Sequence, residues 1–367
     1  MQEPNTYQNV LCIRADNMGD VIMASPAFRA LKETFGSKIT LLTSKAGSII
    51  APYIAYVDDL IAVDLPWVQS NSLENGAIQA LAEELKQKAF DAAIIFTVYS
   101  QSALPAAMLA FMAGIPVRVA YARENPYQLL THWIPDSEPY EMIRHQVERD
   151  LGLVKHIGAE TTEKKLLLNV PDADRRAFTQ ILSGIKIDVQ KPFIVLHPGV
   201  SEEKRQYPKV LWIETGRALA RQFEVPILIS GSQAEKQLTD DIADGIGEPA
   251  ISVAGCFSIG TFICLLEKAS LLISVNTGTI HIAAATQTPM IVLYAQTNPQ
   301  HTPWKCAHRI LEFSVHEHLR SRNRVIRHVN ETRYADHIPY PTPGEILAET
   351  KLIGSARLPG KSMPAFL

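Results

Sequence analysis

Four short stretches carry side chains that could bind or transform a charged substrate. The first is Arg14-Ala15-Asp16-Asn17-Met18-Gly19-Asp20, which follows the apolar run 10–13 and precedes a helical pattern. Gly19 lets the backbone approach a ligand closely. Asp20 stands at the helix start, where a carboxylate is either a favourable acid at the positive helix end or a fixed general base for a weakly nucleophilic hydroxyl. Asp16, further from the helix start, is a second candidate for that base. The second stretch, residues 197–208, offers Gly199, Ser201 and the adjacent cations Lys204 and Arg205. That set suits a diphosphate, or it is a solvated surface loop. In the third, residues 230–235, Glu235 either takes ribose hydroxyls or closes a capping box with Ser232. The fourth runs through Asn276, Thr277 and Gly278 into a helix carrying His281. Free N–H groups at such a helix start make an anion site. His281 is either part of that site or a satisfied, partly buried histidine.

The elements that must position these loops follow from hydrophobic period. Val21, Ala24, Phe28, Leu31 and Phe35 recur at the three-and-four step of one helix face. Short apolar runs at 10–13, 39–42, 60–63, 92–96 and 117–121 alternate with helical patterns at 20–35, 78–88 and 103–113. The alternation returns from residue 192, with strands at 192–196, 225–229, 251–253, 271–275 and 290–294 and helices at 211–222, 234–246, 259–269 and 279–285. This order predicts an α/β chain with two parallel sheets covered on both faces. Ligands in such sheets bind beyond the carboxyl ends of strands, which is where all four loops begin. The polar stretch 172–191 is the expected linker. Domains are expected over 1–175 and 190–340, with a C-terminal helix and tail over 341–367.

The whole chain of 367 residues is 47% hydrophobic and 20% charged, with a formal net charge of -3, and so lacks the basic excess of a nucleic-acid protein. Cys12, Cys256, Cys264 and Cys306 form no C-x-x-C pair. Neither a zinc knuckle nor a disulfide framework is expected, and a reduced cytoplasmic compartment is. Residues 1–5 are polar without a signal pattern. The apolar stretch 103–117 falls short of the about 20 residues a spanning helix needs. Contact with the inner face of the cytoplasmic membrane is the most that is expected. No G-x-G-x-x-G or Walker A sequence is present, which disfavours a dinucleotide dehydrogenase or a P-loop NTPase. No D-x-D follows a strand, so a metal-dependent sugar transferase gains no support. Residues 301–337 gather His316, His318, Arg320, Arg322, Arg324, Arg327, His328 and Arg333. They form a solvated extension or a patch for an acidic acceptor.

In order and spacing, residues 14–31, 197–208, 257–259 and 274–304 resemble glycosyltransferase family 9, the lipopolysaccharide heptosyltransferases. The resemblance implies a GT-B fold of two Rossmann-like, doubly wound domains facing across a cleft. The acceptor would bind mainly to the first domain and the nucleotide-sugar donor to the second. It implies metal-independent, inverting transfer of a sugar, foremost heptose from ADP-heptose, to a lipopolysaccharide-core or other cell-envelope glycan. Its partners are a nucleotide-sugar donor, which is a substrate rather than a cofactor, and a glycan or glycolipid acceptor. Asp20 matches the family's catalytic base, and Asn17, Met18 and Gly19 its acceptor-side loop. Ser201 and Arg205, with Lys204 beside them, match the donor-phosphate loop. Thr277 and Gly278 match the diphosphate turn and His281 the histidine after it. Glu235 looks like the ribose contact, and Phe257 like the apolar side chain on the adenine. Two departures stand out. Asn276 replaces the usual Asp near the donor sugar, and Ala295-Gln296 replaces a glycine-proline. They leave open a different nucleotide-sugar donor. A non-catalytic nucleotide- or glycan-binding protein of the same fold is the remaining alternative.

Overall fold

Parallel pairing throughout organises the strands of the computed structural model, which describes residues 7–68, 76–185, 187–188, 190–354 and 357–359. The opening polar segment 1–5 and the end of the C-terminal tail lie outside the described residues. The first sheet contains β1 (Asn9–Ile13), β2 (Lys38–Thr43), β3 (Asp59–Ala62), β4 (Ala92–Ile95), β5 (Val117–Ala122) and β6 (His132–Pro135). Its order is β3-β2-β1-β4-β5-β6. The second contains β7 (Ile194–His197), β8 (Ile227–Ile229), β9 (Ala250–Ser252), β10 (Leu271–Val275), β11 (Met290–Ala295) and β12 (His308–Phe313). Its order, β12-β11-β10-β7-β8-β9, is the first order read from the opposite edge. Each sheet therefore grows outward from its first strand one way, then the other. The direction reverses between β1 and β4 and between β7 and β10, the places where ligands bind in open α/β sheets.

The central strands are apolar because both of their faces are covered. Val10, Leu11, Cys12 and Ile13 in β1, and Leu271, Leu272 and Ile273 in β10, are buried without interruption. The helix Met18–Phe35 buries the expected Val21, Phe28 and Leu31. It packs against the helix Gln146–Lys155, which the sequence reading passed over because its buried face includes Gln146, Arg149 and Asp150.

The chain divides into two compact units. One comprises Met1–Asn169 with Pro299–His301 and Asn323–His328; the other comprises Val170–Asn298, Thr302–Arg322 and Val329–Leu367. The stretch expected as a linker instead forms the helix Asp172–Ile185, which buries Phe178 and Leu182. Four residues separate these two, so they share a helix face; the charged first turn masked that pattern. The C-terminal helix, Pro343–Gly354, packs on the helix Lys209–Phe223 and buries Ile346 in the second unit's core. It is part of that unit rather than an appendage. The edge strands β6 and β12 escaped the sequence reading because neither is a continuous apolar run.

Candidate functional site

In the first unit the loop after β1 is built around a buried cation. Arg14 has no exposed surface, and its Nη2 donates to Asp20 Oδ1 at 3.0 Å while its Nε lies 3.3 Å from Asp16 Oδ2. Burial opposes the guanidinium charge, but Asp16, Asp150 and Asp20 outweigh it and hold the Arg14 pKa above its ordinary value. Asp20 also serves its helix. Its Oδ2 accepts from the Asn17 N–H at 3.3 Å, the back-reaching half of a capping box. Asn17 is the N-cap; Met18 and Gly19 open the helix. Asp20 is thus both a helix-start acid and a member of an ion-paired cluster.

A segment from far along the chain completes that cluster. Gln300 is fully buried in the first unit. Its Oε1 accepts from the Tyr99 N–H at 3.1 Å, and its Nε2 donates to Glu138 Oε2 at 2.6 Å. Glu138 is in turn ion-paired with Arg144. The anchored segment brings His301 Nε2 to 3.5 Å from Asp20 Oδ1. In the sequence His301 stands only at the edge of the basic segment, and nothing singles out Gln300, Gln101 or Asp150. No local pattern marks them, because their partners are distant in sequence.

Asp16 faces a different neighbourhood. Its carboxylate accepts from Gln101 Nε2 at 2.6 Å, and its backbone carbonyl accepts from Ser44 Oγ at 2.6 Å. Asp16 and Gln101 line a cavity of about 350 Å³ at the carboxyl ends of β1 and β4, the point of strand-order reversal. Burial pushes the Asp16 carboxyl up to about 6 against the pull of Arg14. Burial does the same to Asp150, also to about 6, again opposed by Arg14 and by the Gln146 amide. Both groups bind protons more tightly folded than at the ordinary 3.8. Their contribution to stability is therefore fully present at the acid end of that window and is lost as pH rises through about 6. Asp150→Asn should flatten the dependence of the urea midpoint on pH between about 4 and 6.5. An unchanged slope would contradict the assignment.

In the second unit, the helix Gly278–Ala285 begins directly beyond β10. Its N-cap, Thr277, makes no side-chain capping bond. Thr277 Oγ1 and Arg205 Nε are both buried and find no hydrogen-bond partner among the described residues. Arg205 Nη1 donates to the Asn276 carbonyl at 3.1 Å, which aims the guanidinium at this helix start. Glu202 gathers both cations, at 2.7 Å from Arg205 and 2.6 Å from Lys204. Ser201 is exposed in the same loop. His281 is buried one turn into the helix. Orphan amides, a buried hydroxyl and a planar cation together make an anion-binding arrangement.

Glu235 closes the capping box that its spacing allowed, accepting from the Ser232 N–H at 2.6 Å. Its carboxylate also lies against Gly199, where a methyl group would collide with it. The glycine is required there by close approach rather than by backbone angle. Burial pushes His197, at the end of β7, down to about 4 although Glu235 pulls the other way, so the imidazole is neutral. Phe257 is half-buried, and its ring centroid is 6.2 Å from that of Phe178.

Asn276 has a structural role that an aspartate could not fill. Its Nδ2 donates to the Ala295 carbonyl at 3.1 Å and to Thr297 Oγ1 at 3.0 Å, while its Oδ1 accepts from the Ala295 N–H at 3.1 Å. The amide thereby ties the end of β10 to the end of β11. Gln296 is likewise engaged, by Ser314 Oγ at 2.9 Å and by Glu312 at 3.1 Å. Asn276→Asp would lose the two donated bonds and set a carboxylate against a carbonyl, at a cost of about 1–3 kcal/mol. A urea melt checks this; equal stability would show that the tie is dispensable.

Among the described residues, no group of three or more His, Cys, Asp or Glu is placed to hold a metal ion. No helix among them is long and apolar enough to cross a membrane. In the basic segment Arg322, Arg324, Arg327 and Arg333 are exposed. The His316 and His318 rings stack at 5.9 Å, and His316 Nε2 meets the Tyr340 hydroxyl at 3.2 Å.

The sequence model of glycosyltransferase family 9 (heptosyltransferase) matches residues 78–330, a span that holds the second-unit loops and begins after Asp20. Lipopolysaccharide heptosyltransferase 2 of Salmonella typhimurium is 22% identical over 308 residues, covering 80% of this chain and 84% of that protein. The crystal structure of a family 9 glycosyltransferase from Veillonella parvula superimposes with a TM-score of 0.77 at 15% identity, covering 96% of this chain and 99% of that one. An Escherichia coli heptosyltransferase with ADP-2-deoxy-2-fluoro heptose gives a TM-score of 0.66 at 18% identity, covering 94% and 99%. These structural likenesses establish the fold.

Proposed function

Because the chain belongs to glycosyltransferase family 9 (heptosyltransferase), we propose that it transfers heptose from ADP-heptose to a hydroxyl of a lipopolysaccharide-core glycan, with inversion. The donor class is supported by the ADP-sugar analogue of the structural relative, and the acceptor class by the names of the sequence relatives. The observation that carries the reading is Asp20, a carboxylate held by Arg14 at 3.0 Å at the strand-order reversal of the first sheet.

In this reading Asp20 accepts the proton of the acceptor hydroxyl as that oxygen attacks the anomeric carbon. Arg14 fixes the carboxylate's orientation, and His301, which faces the same Oδ1, is a second positioning residue. Attack from the face opposite the nucleotide inverts the anomeric centre. Negative charge then grows on the departing ADP. Arg205, Lys204, Thr277 and the first amides of the helix Gly278–Ala285 stabilise that charge electrostatically, the part a metal takes in other transferases. Ser201 and His281 border the same group, and Glu235 and Phe257 hold the nucleoside. The Asn276 exchange calls for no change of donor, since its amide serves the β10–β11 tie.

A thermal-shift panel of ADP-, GDP- and UDP-sugars tests the donor half. ADP-heptose should stabilise the protein most, and Arg205→Ala should weaken its binding by about tenfold to a hundredfold, the worth of a charge-assisted hydrogen bond. Stabilisation by no nucleotide-sugar would overturn the reading. A GDP- or UDP-sugar as the best ligand would replace the donor.

A further inference from the structure

The cavity beside Asp16 is unlike the rest of the cluster in its chemistry. It lies wholly within the first unit and is large enough for one sugar ring. Its polar wall is Asp16, Thr97, Ser100, Gln101, Ser102 and Asn323, and Trp67 stands among its apolar lining. No Lys, Arg or His lines it among the described residues. Gln101 is fixed by the Val98 N–H, which donates to its Oε1 at 3.2 Å, so the amide is committed to Asp16 on its other side. Ser102 Oγ donates to Oε1 of the exposed Glu124 at 2.6 Å. Arg14 does not line the cavity; it is fully buried and is shared among Asp16, Asp20 and Asp150.

We infer that this cavity is an acceptor subsite for an uncharged sugar residue, whose hydroxyls donate to Asp16 and whose apolar face covers Trp67, and that it rejects carboxylate- or phosphate-bearing sugars. The inference rests on the transferase reading for its biological role, and on the cavity's own lining for its ligand class. A hydroxyl donating to a carboxylate is among the stronger neutral-to-charged hydrogen bonds. An anionic substituent would meet the Asp16 carboxylate with no cation on the cavity wall to answer it, which is how a site discriminates against a wrong partner. The flat ring of Trp67 offers a large apolar surface at little entropic cost.

The test uses the full chain labelled with ¹⁵N-tryptophan. The indole signal of Trp67 is assigned by its loss in Trp67→Phe, and methyl glucoside is titrated against methyl glucuronide, the same ring bearing a carboxylate. The glucoside should shift the Trp67 signal, and the glucuronide should bind at least about tenfold more weakly. Asp16→Asn should weaken the glucoside severalfold and bring the two ligands to within about threefold of each other. Ser102→Phe, an exposed position on the cavity wall, should abolish the shift without the folding risk of a core change. Equal or tighter glucuronide binding, no Trp67 response to the glucoside, or a response that survives Ser102→Phe would each overturn the inference. The same samples are melted with ADP-heptose. Loss of donor stabilisation in the wild type counts against the transferase reading alone, whereas retained stabilisation with no glucoside response counts against the subsite alone.

Discussion

Asp20→Ala should lower the transfer rate by about 10²–10⁴-fold, the range attributed to a positioned general base, while ADP-heptose binding stays within about twofold of wild type. The two halves of this expectation come from different parts of the molecule. Asp20 belongs to the first unit, and the residues proposed to hold the nucleotide, Arg205, Thr277 and Gly278, belong to the second. Removing the carboxylate breaks the 3.0 Å bond from Arg14 and a 3.3 Å capping bond but leaves Arg14 with Asp16 at 3.3 Å, so the fold should survive. Asp20→Asn is the sharper variant. It preserves shape and an acceptor oxygen for the cap and for Arg14, and loses the negative charge together with the ability to take a proton. If Asp20→Asn and Asp20→Ala are equally inactive but both bind donor, the missing function is proton acceptance. If both transfer at close to the wild-type rate, Asp20 is a helix cap and nothing more.

Arg14→Met should cost about 3–5 kcal/mol of stability at pH 7.5, because it leaves buried carboxylates without their cation. Asp16, Asp20 and Asp150 all act on Arg14, and Asp16 and Asp150 already sit near 6 because burial disfavours their charge. Without the guanidinium their protonation would become easier still. The destabilisation should therefore be smaller at pH 5 than at pH 7.5, since protonation relieves the uncompensated charge. Urea melts at the two pH values measure this. A penalty that is the same at both, or absent at pH 7.5, would show that Arg14 is not the cluster's counter-ion. Arg14→Lys keeps the charge but cannot span two carboxylates in the plane of a guanidinium, so it should recover part of the loss.

What the sequence made legible follows the range of the interactions involved. The strand-to-helix turns at Asp20, Ser201–Arg205 and Thr277 could be read because each is a local pattern: an apolar run, a glycine or hydroxyl, and a helical period. The capping box of Ser232 and Glu235 is local in the same way, and it formed as its spacing allowed. The partners of these loops could not be read. Gln101 reaches Asp16, and His301 reaches Asp20, through contacts that only the tertiary fold creates. Asn276 shows the limit from the other side. The exchange of acid for amide was visible and suggested a changed donor pocket, whereas its amide is engaged with the backbone of Ala295, a neighbour in the next strand. In sequence the helix Asp172–Ile185 looks like a linker because its charged surface outnumbers Phe178 and Leu182, the two residues it buries.

The proton-acceptor role of Asp20 is tested most directly by following the anomeric signal of ADP-heptose by NMR, with wild type and Asp20→Asn each mixed with a core-glycan acceptor. The account predicts that wild type releases ADP and forms a glycoside of inverted configuration, and that Asp20→Asn saturates with donor yet forms product at least about a hundredfold more slowly. A retained anomer from wild type, or product from Asp20→Asn at the wild-type rate, would contradict it.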